Sequence, residues 1–424
     1  GAYRIASDFR LRNQKVKVVD FFTSFSLDQV KEIILKYRTK ETEWIGFSST
    51  FMAPKNFDVF SNRVKIRAEL ERGTSIGLDR SDAEELFSFI RSYNMEILIG
   101  GMRTKHEFDN VTYIYGPAEE KFTKDFNFNK SQIIWDDSDY IFDQEHLPIE
   151  IARGCIFKCS FCSYPLNGKK LWDFCKSPDV LKEEMMRNYI NYGTEGYMFS
   201  DDTYNDSVEK ISKLNDMYKT LPFDLEFSAY ARADLILSKP DSWDILAESG
   251  LKSVFFGIES FNHKAAKTVG KGMDPNKIKD GLHWMKEKHP NILISCGFIA
   301  GLPFETQDSL HSTIDWLDNT NAIDSYSFQV LSISPKSKIG INPERYGYEF
   351  NQAGWYNNLM TEEQATNIAS KSMNNTINSF TFYNRLRNLN YSYNEIKNIT
   401  DKSKSDIMER YYAKCREYGH KTLQ

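Results

Sequence analysis

No apolar run in the chain approaches the roughly 18–20 residues that a membrane span needs, so no transmembrane segment is expected. There is no secretory signal, and 424 residues hold only six cysteines. Three of the six fall within eight consecutive positions, unlike a secreted disulfide framework, and a reducing cytoplasm is the expected compartment. A strong charge of either sign is missing too. A formal net charge of −5 is small for this length and argues against a surface given over to phosphate contacts, so nucleic acid is not an expected partner. Internal repeats are absent, and the only compositional bias is a mild excess of Asn, Tyr and Ser after position 350. The chain opens on Gly1 without an initiator methionine and runs directly into a helical pattern, which leads us to expect sequence upstream.

What is present is ordinary for a globular protein: 41% hydrophobic and 27% charged residues, in a length that calls for two or three domains. Residues 1–125 alternate strand and helix, with strands predicted at 16–22, 43–48, 96–99 and 111–115 and helices at 27–37 and 81–93. This is the pattern of a doubly wound, Rossmann-like α/β domain. Residues 126–146 are polar and aromatic with weak periodicity and read as a linker. A second α/β alternation fills 147–340, with strands predicted near 147–152, 196–200, 225–230, 253–257, 292–298 and 325–331. Six βα units, short of eight, predict a partial TIM barrel with its active face at the strand ends. After 341 the strands stop. Thr361 with Gln364 and Ser403 with Asp406 form capping patterns, so 341–424 reads as a helical C-terminal domain.

The densest chemistry lies in Arg153-Gly154-Cys155-Ile156-Phe157-Lys158-Cys159-Ser160-Phe161-Cys162. Cys155, Cys159 and Cys162 form a C-x3-C-x2-C loop whose three thiolates can wrap a cubane cluster and leave one iron without a protein ligand. The alternative is zinc, which would want a fourth soft ligand; Cys175 is the nearby candidate, although structural zinc cysteines usually come as C-x2-C pairs. Cys175, Cys296 and Cys415 are expected to lie outside the cluster. His106 and His146 read as surface or linker histidines.

A C-x3-C-x2-C loop after the first strand of the second alternation resembles the radical S-adenosylmethionine (SAM) superfamily. The resemblance implies a [4Fe–4S] cluster, SAM chelated at its open iron, reductive cleavage to a 5′-deoxyadenosyl radical, and an external electron donor of flavodoxin or ferredoxin type. Phe161 would then pack near the adenine, with Tyr164 beside the same site. Tyr197-Met198-Phe199-Ser200-Asp201-Asp202-Thr203-Tyr204 resembles the second-strand segment of the cobalamin-associated subgroup; Asp201 or Asp202 could meet the SAM ammonium, or cap the next helix. In Tyr230-Ala231-Arg232-Ala233-Asp234, Arg232 would face the SAM carboxylate, or pair with Asp234. Gly257-Ile258-Glu259-Ser260, followed by Gly270-Lys271-Gly272-Met273, would place Glu259 on the ribose or the amino group. In Gly297-Phe298-Ile299-Ala300-Gly301-Leu302-Pro303-Phe304-Glu305-Thr306, Gly297, Ile299 and Gly301 would line the adenine, with the glycines allowing close approach of the backbone; Glu305 and Thr306 can also simply start a helix. These five ordered signatures span about 147–335.

The N-terminal half is similar to the cobalamin-binding domain of the class B methylase subgroup, on the segments Val18–Phe22, Trp44–Thr50 and Ile97–Gly101. The likeness implies a corrin held by Ser48, Ser49, Thr50, Gly100 and Gly101 at the strand ends, over the cluster. Two features depart from it: no D-x-H-x-x-G motif occurs, and Gly101-Met102-Arg103-Thr104 lacks the Pro or His often seen after the glycines. Three functions follow. The first is a cobalamin-dependent methyltransferase acting on an unactivated carbon of a small-molecule or peptide substrate, with Tyr164, Tyr204 and Trp355 as candidates to shape the substrate cavity. The second is a cobalamin-independent radical SAM enzyme performing epimerisation, cyclisation or another hydrogen abstraction, its degenerate N-terminal domain recognising substrate. The third is an iron–sulfur binding module without catalysis, against which the signatures beyond the cysteines argue.

Overall fold

The structure, a computed structural model, describes residues 1–20, 22, 25–48, 80–100, 108–164, 166–373, 379–398 and 404–423. The chain divides into two compact units, Gly1–Asp143 with Lys402–Gln424, and Gln144–Asp401. Among the described residues no helix is long and apolar enough to cross a membrane.

In the first unit three parallel strands, β1 (Trp44–Ser48), β2 (Glu96–Gly100) and β3 (Thr112–Ile114), lie in the order β1-β2-β3. Ile97, Leu98 and Ile99 are all buried, as a parallel strand covered on both faces requires. The helix Leu27–Tyr37 starts at a capping box between Ser26 and Gln29, and its Val30 and Ile33 join Leu86, Phe87 and Ile90 of the helix Arg80–Arg91 in the core. The strand predicted at 16–22 does not form at the described positions. Side chains anchor that segment in place of a ladder: the Lys17 ammonium lies over the rings of Tyr37 and Tyr140 and donates to the Ser138 carbonyl.

Two expected boundaries are corrected. Residues 126–143 are not a free linker but pack within the first unit, where Arg10 makes a bidentate pair with Asp139 at 2.6 and 2.8 Å and Trp135 is buried. The expected C-terminal domain is split. The helix Lys404–His420 and the turn after it belong to the first unit, with the carbonyls of Lys421 and Thr422 accepting from Tyr140 and Tyr37.

The second unit is a six-stranded parallel sheet in sequential order, β4 (Leu147–Ile149), β5 (Gly196–Phe199), β6 (Glu226–Ala231), β7 (Leu251–Glu259), β8 (Leu293–Ala300) and β9 (Ser325–Val330), with helical crossovers between strands. This is the predicted partial barrel. Its helices begin where the sequence signals them: Ser177, Ser207, Asn262, Asp274 and Thr306 each cap a helix through the side chain. Beyond β9 a short antiparallel hairpin, β10 (Glu349–Asn351) and β11 (Gly354–Tyr356), appears where only helices were expected.

The helix Ser379–Asn388 packs on the sheet through a buried polar network near the starts of the strands. Asn384 donates to the Ser228 hydroxyl at 2.5 Å, and Tyr383 and Arg387 both donate to Glu226 at 3.0 Å. His146 is part of this network, not a surface or linker residue. It is 9% exposed, its N–H donates to Asn388 at 2.7 Å, and its ring faces Asn384 at 3.1 Å.

Candidate active site

Between β4 and the helix Pro178–Tyr192 the chain turns through the cysteine loop, and the end of β5 holds the turn. Asp201 accepts the Ile151 N–H at 2.8 Å and also the Ala152 N–H, while Asp202 accepts the Gly154 N–H. Gly154 sits at φ +78°, and a Cβ there would come within 2.5 Å of the Leu166 Cβ, so only glycine fits. The loop closes where the Gly168 N–H donates to the Cys155 carbonyl at 2.7 Å.

Each cysteine sulfur meets a polar group. The Thr203 hydroxyl lies 3.3 Å from the Cys155 Sγ, the Asn167 amide donates to the Cys162 Sγ at 3.0 Å, and an Arg232 N–H points at the Cys159 Sγ from 3.7 Å. Burial pushes the Cys162 thiol up, a cost that a bound metal offsets. Cys175 is buried and its thiol is turned to the Lys176 carbonyl at 3.6 Å. Among the described residues no three Cys, His, Asp or Glu side chains converge on a single ion. A C-x3-C-x2-C loop suits a cluster, in which each thiolate takes a different iron, better than one tetrahedral zinc, which would want a fourth ligand.

Arg232 makes the expected pair with Asp234. Its guanidinium makes a bidentate pair with Asp234 at 3.0 and 2.6 Å and lies 3.9 Å over the Phe157 ring, and that pair holds it beside Cys159. Glu259 ends β7 at a break in register, with φ +72°, unusual for a residue bearing a side chain. Its carboxylate is 3.4 Å from the Lys271 ammonium, which donates to the Gly257 carbonyl at 2.7 Å. A Cβ on Gly257 would fall 2.5 Å from the Glu259 carboxylate and would push it aside. The two halves of the fourth signature therefore meet in space. Ala233, Asp234, Gly257, Ile258, Ser260 and Lys271 border an open cleft at this point.

The other expected positions lie in varied surroundings. Asp201 is 1% exposed, one of its carboxylate oxygens accepts from the loop backbone while the other is buried without a hydrogen-bond partner, and burial pushes it up to about 6. A Cβ on Gly297 would lie 2.4 Å from the Phe255 ring and one on Gly301 2.2 Å from the Trp355 ring, so neighbouring side chains occupy the space beside both glycines. Ile299 remains half-buried opposite Gln329. Tyr204 is fully buried among Phe199, Tyr218 and Phe227, and Trp355 is buried with its indole donating to the Leu331 carbonyl at 2.9 Å, so both are core residues. Phe161 is half-buried, and Tyr164 is exposed on the loop after Cys162. In the first unit Ser48 and Gly100 stand opposite each other at the ends of β1 and β2, while Ser49, Thr50, Gly101 and His106 lie outside the described residues.

Sequence reasoning missed Thr203 and Asn167, whose only signal was closeness to the Asp201-Asp202 pair and to Cys162. It also underrated Glu305. That residue is 1% exposed, accepts from the Ser260 hydroxyl at 2.5 Å, and is pushed up to about 8 by burial.

Residues 149–317 match the family described as the radical SAM superfamily. The chain carries a radical SAM domain. It is 28% identical over 188 residues to an uncharacterized methyltransferase of Pyrococcus horikoshii, covering 44% of this chain and 40% of that one. It is 25% identical over 236 residues to the ribosomal protein uS12 methylthiotransferase RimO of Rhodopseudomonas palustris, covering 51% of each. The chain spans about half the length of the curated relatives it matches. Among solved structures, the radical SAM methyltransferase TsrM of Kitasatospora setae, bound to cobalamin and a [4Fe–4S] cluster, superposes with a TM-score of 0.61 at 13% identity, covering 97% of this chain and 96% of that one. The cobalamin-dependent SAM radical enzyme OxsB gives 0.53 at 15% identity, covering 82% and 53%. At such identities the likeness is one of fold. The chain thus shares the fold of TsrM over nearly its whole length.

Proposed function

We propose that the chain is a cobalamin-dependent radical SAM methyltransferase acting on an unactivated carbon of a small-molecule or peptide substrate. The observation that carries this reading is the cysteine loop with a polar group on every sulfur, in a chain whose fold matches TsrM over nearly its whole length. Cys155, Cys159 and Cys162 would hold the cluster. When bound, the cluster and SAM supply one-electron cleavage to a hydrogen-abstracting radical, and cobalamin supplies a methyl carrier.

The chain's own groups bind and orient. Asp201 and Asp202 fix the backbone that delivers Cys155, Thr203 donates to the Asp202 carbonyl and sets its hydroxyl oxygen beside the Cys155 sulfur, Asn167 donates to the Cys162 sulfur, and Asp234 holds the Arg232 guanidinium beside Cys159. Glu259, steadied by Lys271, offers a carboxylate to the ribose or amino group of SAM, and Phe161 offers a ring to the adenine. An external electron donor is required. Ser48 and Gly100, at the carboxyl ends of adjacent parallel strands, stand where open α/β sheets take ligands, and with Ser49, Thr50 and Gly101 they would face the corrin.

Anaerobic titration with hydroxocobalamin tests the reading. A shift of the corrin spectrum is expected in the wild type and in Gly100→Ala, whose Cβ would meet, among the described residues, the Ala118 Cβ at an ordinary 3.9 Å, and none in Gly100→Trp. If the wild type takes up no corrin yet cleaves SAM, the cobalamin-independent reading replaces this one.

A further inference from the structure

The chain after Cys162 folds back onto the cysteine loop. Asn167 forms a parallel bridge with Cys155, next to the hydrogen bond from the Gly168 N–H to the Cys155 carbonyl. The residues on either side of it, Leu166 and Gly168, both take positive φ, +60° and +78°. Leucine adopts that backbone rarely and at a cost, so its surroundings must hold it there. Leu166 lies against Gly154, and Gly168 lies against the Lys158 side chain. Asn167 is thus presented from a fixed turn, half-buried, with its backbone tied to the first cysteine of the loop and its amide donating to the Sγ of the third, Cys162, at 3.0 Å.

The three sulfurs are not treated alike. Thr203 stands 3.3 Å from the Cys155 Sγ but its hydroxyl donates to the Asp202 carbonyl, and Arg232 points at the Cys159 Sγ from 3.7 Å. Among the described residues Asn167 therefore makes the closest side-chain approach to a cluster cysteine, and the Tyr164 backbone N–H adds a second donor to the same sulfur. A thiolate bound to iron can only accept, and a primary amide keeps its N–H groups at every working pH. We propose that Asn167 is a positioning residue that acts through Cys162 to raise the reduction potential of the cluster. The inference rests on the proposed cluster site. Reduction adds one electron from the external donor and makes or breaks no bond in the protein. An N–H aimed at the thiolate offsets part of the added negative charge, so it stabilises the reduced form more than the oxidised one.

The test uses the full chain with its cluster reconstituted, titrated with dithionite through redox mediators and read by EPR of the reduced cluster. Asn167→Leu, close in size but without a donor, should keep its iron. At a fixed potential its ratio of reduced to oxidised cluster should fall about tenfold, a downward shift of about 59 mV. Asn167→Asp, which sets an acceptor carboxylate at the same sulfur, should shift further down. A second measurement needs no variant: wild type labelled with heavy nitrogen in its asparagine side chains should show a nitrogen coupling to the reduced cluster in pulsed EPR. Midpoints in both variants equal to the wild type overturn the proposal. So does a wild-type spectrum without that coupling, which decides the matter even where the variants lose their iron, and so does a coupling that persists in Asn167→Leu. A wild type that takes up no cluster overturns the site assignment and this inference with it, whereas a wild-type cluster with unmoved midpoints in the variants overturns this inference alone.

Discussion

Glu305 offers a sharp physical test of the barrel interior. Its carboxyl is 1% exposed, accepts from the Ser260 hydroxyl and from the N–H groups of Gly301 and Leu302, and has a second oxygen buried without a partner. Burial outweighs those hydrogen bonds and pushes it from its ordinary 4.5 up to about 8. Because the folded state holds the proton more tightly than the unfolded chain, the stabilising contribution is complete below about pH 4.5 and is lost as pH rises through 8. A span of about 3.5 pH units at about 1.4 kcal/mol each puts the full loss on the order of 5 kcal/mol. Glu305→Gln has no proton to lose. The stability difference between wild type and variant, from urea unfolding followed by circular dichroism, should therefore move by about 4 kcal/mol against the wild type between pH 5 and pH 8. A difference that stays within about 1 kcal/mol across that range refutes the reasoning.

Gly297→Ala forces a methyl against the Phe255 ring and should cost about 1–3 kcal/mol in thermal unfolding, partly recovered by Phe255→Leu; an unchanged midpoint would mean that the ring can move aside freely. His146 is pushed from 6.5 down to about 4, first by burial, so its neutral form stabilises the fold above pH 6.5 and that contribution is lost as pH falls through 4. His146→Gln should flatten the acid limb of the stability profile, and a limb of equal steepness would show that the histidine titrates freely. Cys175→Ala should leave any bound iron in place, since that thiol is turned to the Lys176 carbonyl, and loss of iron on this change would revive the zinc alternative.

The strands of the second unit were legible because parallel barrel strands are short apolar runs separated by capped helices, and each run finds its neighbour in sequence order. The cysteine loop was legible from spacing alone. The segment 16–22 was not: Val16-Lys17-Val18-Val19 has strand character, but a strand needs a partner ladder, and here Lys17 is held by rings and a carbonyl instead. The division of the C-terminal region escaped notice because helical periodicity does not say which core a helix joins. Glycines mislead in the same way. The sequence marks Gly297 and Gly301 as positions that exclude a side chain, but only coordinates reveal that Phe255 and Trp355 stand beside them. Asp201 and Asp202 were legible as chemistry; their role as backbone anchors for residues 151–154 depends on a long-range contact between strand ends.

The central claim, that Cys155, Cys159 and Cys162 hold a cluster that cleaves SAM, is tested most directly by anaerobic reconstitution with iron and sulfide. The readouts are Mössbauer spectroscopy and detection of 5′-deoxyadenosine after reduction with dithionite. Wild type should take up about four irons as a [4Fe–4S] cluster and release 5′-deoxyadenosine from SAM, and each single Ala substitution of Cys155, Cys159 or Cys162 should lose both. Stoichiometric zinc in place of the cluster, or a variant lacking one of these cysteines that still cleaves SAM at the wild-type rate, would contradict the account.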